Sequence, residues 1–171
     1  LRHAQLLGAL LCFHIAGPVI QSLAPRLSTL VLIPLYALVL GAATLAVSRG
    51  RRRWTLELLA LPMIVAGVVA VASDSPQPLA LPAAALPFLF YTSWSVFRGV
   101  LAPGIIDEAK LLGSGSVFIL VAQVWAGLYA ALEWLAPRSF VVSGGSAPQP
   151  GDLAYFSLVT QTTLGYGDVT P

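Results

Sequence analysis

The stretch Asp152-Leu153-Ala154-Tyr155-Phe156-Ser157-Leu158-Val159-Thr160-Gln161-Thr162-Thr163-Leu164-Gly165-Tyr166-Gly167-Asp168 decides the fold. The part up to Thr162 is apolar but only about half the ~20 residues needed to cross a bilayer. Asp152 is a favoured helix N-cap, so about three turns are expected, ending near Thr162. Two glycines then alternate with other residues, a pattern no helix uses. Irregular backbone at membrane depth is permitted only where it is buried in protein or lines a water-filled path. The stretch therefore reads as a re-entrant loop that needs helices around it.

The rest of the chain supplies them. Of 171 residues, 57% are hydrophobic and only 9% charged, against about 25% charged in a soluble domain. Five segments have spanning length: Ala4–Leu23, Ser28–Ser48, Trp54–Ser73, Pro78–Phe97 and Ser114–Ala136. Pro, Gly and charge mark the breaks between them. The Arg49, Arg51, Arg52 and Arg53 cluster sets the second loop on the cytoplasmic side. Alternation then puts Arg2, Arg98 and Lys110 inside, leaving only Arg26 and Arg138 outside. This bias places residues 137–171 on the outer side, where a re-entrant loop has to enter. Prolines in the first four spans, Pro18, Pro34, Pro62, Pro82 and Pro87, are expected to bend them. The fifth span has none and is expected to be straight.

The glycines have a conformational reason. A strand with all its carbonyls facing one axis alternates between ordinary and positive φ, which glycine adopts without penalty. The row offers the carbonyls of Thr163, Leu164, Gly165 and Tyr166 and the Thr163 hydroxyl. Four such strands side by side can replace the water shell of K⁺. Leu164 and Tyr166 are expected to turn their side chains away from the axis and pack behind it. The C-terminal end of the short helix carries about −0.5 elementary charge, which favours a cation there.

The segment Phe156–Pro171 resembles the pore helix and selectivity filter of the potassium channel superfamily, and the span layout resembles small prokaryotic members of its "ion channel" family. The resemblance implies an all-α integral membrane protein: five transmembrane helices, a re-entrant pore helix and a filter loop. It implies a sixth, inner pore helix beyond Pro171, so the natural chain is expected to continue by about 25 residues or more. It assigns ion coordination to Thr163, Leu164, Gly165 and Tyr166, and filter geometry and the outer mouth to Gly167 and Asp168. Tyr155 and Thr162 are assigned to filter support. Leu164 stands where valine is commonest. Tyr155 and Val159 stand where well-known members carry a tryptophan and a buried glutamate that tie down the mouth aspartate. Tyr155 can still donate to Asp168 and Val159 cannot, so a looser outer mouth is expected.

Three regions follow: a four-helix part at 1–98, a cytoplasmic linker at 99–113 and a pore region at 114–171. The fourth span is uncharged, whereas a voltage sensor needs several Arg or Lys along such a helix. The expected function is a K⁺-selective channel subunit, without voltage gating, in a plasma membrane. Its N-terminus is expected in the cytoplasm and its partners are three further copies and lipid. K⁺ is the permeating ion, with no organic cofactor and no nucleic acid. The alternatives are a weakly selective cation channel or transporter subunit, or a non-conducting scaffold if the chain ends at Pro171.

Other polar residues have plain readings. Gln123 is expected to bond a neighbouring helix. Gly127 and Ala131 form a small-xxx-small pair for close helix packing. Glu133 is placed near the outer end, enriching cations or sitting in water. His3 and His14 are isolated in sequence, and Cys12 reads as a small core hydrophobe that has no second cysteine to pair with. No nucleophile–base pair, zinc spacing or phosphate loop is present, so catalysis has no support.

Overall fold

The structure, a computed structural model, describes residues 2–23, 38–46, 52–72 and 80–171. Residues 24–37, 47–51 and 73–79, which carry Arg26, Pro34, Arg49 and Arg51, lie outside the described residues. So do three of the nine basic residues used to assign orientation. The described elements are α1 (Arg2–Leu23), α2 (38–46), α3 (Arg52–Ala72), α4 (Ala80–Ala84), α5 (Leu86–Val100), α6 (Glu108–Leu135), β1 (Val141–Val142), α7 (Pro150–Gln161) and β2 (Val169–Thr170). The protein is mostly helical. Among the described residues one helix, α6, is long and apolar enough by itself to cross a membrane.

α6 starts at Glu108, six residues before the expected Ser114. Asp107 has extended backbone, and its carboxylate accepts the Lys110 N–H at 3.0 Å. Glu108 and Lys110 interrupt the apolar run, but a capped first turn tolerates charge because it lies at the helix end. At 1.5 Å per residue the 28 residues of α6 extend about 42 Å, more than the ~30 Å hydrocarbon core. As its sequence lacks proline, no backbone hydrogen bond is lost along it.

The fourth expected span divides into α4 and α5 at Ala85. The division is slight. Ala85 keeps right-handed helical backbone (φ −76°, ψ −14°), donates to Leu81 O and accepts from Leu89 N. Pro87 has no N–H to donate, so one rung is missing.

α6 is the hub, packing against α1, α4, α5 and α7. Leu6 and Leu10 of α1, Ala43 of α2, Leu56 of α3, Phe88 and Val96 of α5 and Leu120 of α6 form the larger core. Gly127 is what lets α4 and α5 close on α6. A Cβ there would meet Leu86 Cδ2 at 2.8 Å and the Pro82 carbonyl at 3.0 Å. Gln123 bonds His14 of α1, and His14 Nδ1 donates to Leu10 O at 2.7 Å. This orientation makes His14 Nε2 the acceptor of the Gln123 amide. Gln123 thus bonds a neighbouring helix, as expected, and the partner is His14, which is isolated only in sequence.

Candidate functional site

α7 is built to stop part-way. Pro150 occupies its first turn, where a missing N–H costs nothing. Asp152 is the third helical residue rather than the N-cap, and its carboxylate accepts the Gln149 backbone N–H at 2.8 Å. Pro150 and Gly151 carried that signal in the sequence.

Three levels of contact fix α7 to α6. At the top Leu153 is fully buried with Ala130 and Phe140, beside an aromatic cluster. Its Tyr129–Phe156, Tyr129–Phe140 and Phe140–Phe156 ring centroids are 5.2, 5.3 and 5.6 Å apart. Lower down the buried Ser157 hydroxyl donates to Ala122 O at 2.7 Å. At the bottom Gln161 Nε2 donates to Phe118 O at 3.1 Å. α7 therefore runs antiparallel to α6, from the level of Ala130 to that of Phe118, about 18 Å at 1.5 Å per residue.

The chain then turns back. Thr162 ends the helix with its hydroxyl bonded to Leu158 O and Val159 O. The amides of Thr162, Thr163 and Leu164 also point to helix carbonyls, at 2.9, 3.0 and 3.0 Å. In a trans peptide the carbonyl before each N–H points the opposite way, so those of Thr162 and Thr163 are directed away from the bonded helix carbonyls. The returning strand ends where α7 began. β2 pairs antiparallel with β1, Val141 opposite Thr170 and Val142 opposite Val169. The segment thus descends beside α6 as helix and climbs back as extended chain.

Along the return, Thr163, Gly165 and Gly167 have φ of +60°, +53° and +74°. The alternation expected from the two glycines is present and begins one step earlier, at a threonine. For a β-branched residue such a φ is strained. Among the described residues the Thr163 hydroxyl has no hydrogen-bond partner.

One expectation about the strand needs correction. Leu164 and Tyr166 do not pack behind the strand within one chain: they are 59% and 66% exposed. A Cβ at Gly165 or Gly167 would meet no atom of the described residues within 4 Å, its two chain neighbours aside. The whole run from Thr162 to Gly167 is exposed.

The Asp168 end is better tied than the middle of the strand. Ser143 donates to Asp168 O through both N–H and hydroxyl, at 2.8 and 3.0 Å. A hydrogen bond to the Asp168 side chain raises the Tyr155 hydroxyl above its ordinary pKa, with desolvation adding to the effect. Glu133 neither sits in water nor faces a mouth. It is 6% exposed and accepts the Arg138 and Phe140 N–H groups at 2.8 and 3.0 Å. Among the described residues no group of His, Cys, Asp and Glu is arranged to hold a metal ion.

A family model described as "Ion channel" matches residues 117–171. The match covers 55 of the 171 residues. The matched segment begins inside α6 and takes in β1, α7, the glycine strand and β2. With the apolar α6, it points to a membrane location and to ion conduction. No curated protein and no solved structure matches the chain.

Proposed function

We propose that the protein is a subunit of a K⁺-selective channel, with four copies placing their Thr163–Gly167 strands around one axis. The observation that carries this reading is the run of positive φ at Thr163, Gly165 and Gly167 on a segment that returns from the end of α7 to pair with β1. A backbone that alternates handedness can direct successive carbonyls to one side. Four such rows give the oxygen cage that replaces a K⁺ hydration shell. The donor set is backbone and hydroxyl oxygen without carboxylates, which suits a weakly held monovalent ion better than a tightly held divalent one.

A single chain leaves the row open, and the exposure of Leu164 and Tyr166 supports assembly. Apolar and aromatic side chains beside an open strand need a neighbouring copy to cover them. The α7 C-terminus adds its negative dipole end to the same axis. Asp168 and Tyr155 line the outer mouth, and the side entered by α7 is the extracellular one.

Planar-bilayer recording of the full-length protein tests the reading. With K⁺ on one side and Na⁺ on the other, the reversal potential should approach the K⁺ equilibrium value. Native mass spectrometry of the same preparation should give four chains. A reversal potential near zero refutes K⁺ selectivity, and a monomer or dimer refutes the four-strand filter.

A further inference from the structure

Glu133 is the only charged side chain buried among the described residues, and it lies on α6, away from the glycine strand. Its two carboxylate oxygens are both engaged. Oε1 takes the Arg138 N–H at 2.8 Å and Oε2 the Phe140 N–H at 3.0 Å. Arg138 is a non-glycine residue at φ +73°, so the turn after α6 is held in a conformation it would not choose alone. Phe140, fixed by the second bond, is buried with Leu153 and Ala130.

The anchored turn feeds directly into β1. Val141 and Val142 pair with Thr170 and Val169, and Ser143 bonds the Asp168 carbonyl twice. Asp168 follows Gly167, the last residue of the alternating strand. A continuous path of hydrogen bonds therefore links a buried α6 carboxylate to the exit of the strand. α7 supplies no such tie from Val159, which has no polar side-chain atom.

We propose that Glu133 is a positioning residue for the outer mouth. It locks the 138–143 turn so that the β1–β2 ribbon holds Asp168 and Gly167 at a fixed distance from α6. The looseness that Val159 alone would leave is offset by a carboxylate from a different helix. The effect on ion selection rests on the channel reading above; the tether itself does not.

The test uses the full-length protein in liposomes, on a Cys12→Ser background. Glu133→Gln keeps the size but turns an NH₂ donor toward one of the two buried N–H groups. Amide hydrogen exchange at residues 140–143 and 169–170 should quicken about ten- to a hundredfold, as expected for loss of one charge-assisted bond. Na⁺ uptake relative to Rb⁺ should rise with it. Adding Val142→Cys and Val169→Cys rebuilds the tether covalently. These residues face each other directly, within reach of a disulfide. Oxidation should restore slow exchange and Rb⁺ preference to the Glu133→Gln protein, and reduction should remove both. A Glu133→Gln protein with unchanged exchange at 169–170, or a formed disulfide that restores neither readout, overturns the proposal. If the unmutated protein passes no Rb⁺, exchange still decides the tether, and the conduction reading alone falls. Should Glu133→Gln not fold, Ser143→Ala removes one of the two bonds to the Asp168 carbonyl without touching α6. Exchange at Val169 and Thr170 should then rise several-fold, and no change there overturns the proposal.

Discussion

Replacing Gly165 with alanine separates backbone handedness from packing. Gly165 has φ +53°, and among the described residues no atom beyond its two chain neighbours lies within 4 Å of a Cβ built on it. The only penalty inside one chain is therefore conformational, about 1–2 kcal/mol for an L-residue in the left-handed region. That corresponds to roughly 5–30-fold in an equilibrium constant. If four strands share one filter, the strain sums to about 4–8 kcal/mol. That is enough for the strands to abandon the alternating form. Gly104 provides the control, since its φ is +139° and it lies in the α5–α6 connection with only Lys110 Nζ near, at 3.9 Å. Thermal unfolding and K⁺ titration by calorimetry should be run on both variants. Gly104→Ala should lower Tm and leave K⁺ binding intact, whereas Gly165→Ala should abolish the binding. Equal K⁺ binding by Gly165→Ala and the unmutated protein would refute the argument that positive φ orders the carbonyls.

Further outcomes follow from the contacts. The raised Tyr155 pKa means its contribution is fully present below the ordinary tyrosine value near 10 and is lost as pH rises through the higher folded value. An alkaline loss of outer-mouth stability, followed by hydrogen exchange around Asp168, should be present in the unmutated protein and absent in Tyr155→Phe. Gly127→Leu should destabilise by about 1–3 kcal/mol through overpacking against Leu86 and Pro82, read as a drop in Tm. Ser157→Ala removes one buried hydrogen bond to Ala122 O and should cost about 1 kcal/mol in thermal unfolding. Gln123→Leu breaks the α1–α6 bond and should cost about 0.6 kcal/mol, the mean for such bonds inside membranes.

What was legible in the sequence was local. Two alternating glycines after a short apolar segment required a particular backbone, and the structure has it. α6 was visible as a proline-free apolar run, although its capped, charged first turn fell outside a hydropathy criterion. What escaped depends on chain reversal. Glu133 meets amides only five and seven residues on, but only because Arg138 turns left-handed, which no local pattern announces. His14 and Gln123 are 109 positions apart, and neither carries a partner signal in its own segment. The exposure of Leu164 and Tyr166 was missed for another reason. The expected packing requires a second copy of the chain, and one chain by itself leaves both side chains open.

Rb⁺ uptake into liposomes, with excess external K⁺ or Na⁺ as competitor, tests the central claim most directly. The account predicts that the full-length protein takes up Rb⁺, that K⁺ suppresses this uptake, and that Na⁺ at the same concentration does not. Equal suppression by Na⁺, or uptake of Na⁺ comparable to Rb⁺, would contradict the reading of the Thr163–Gly167 strand as a potassium filter.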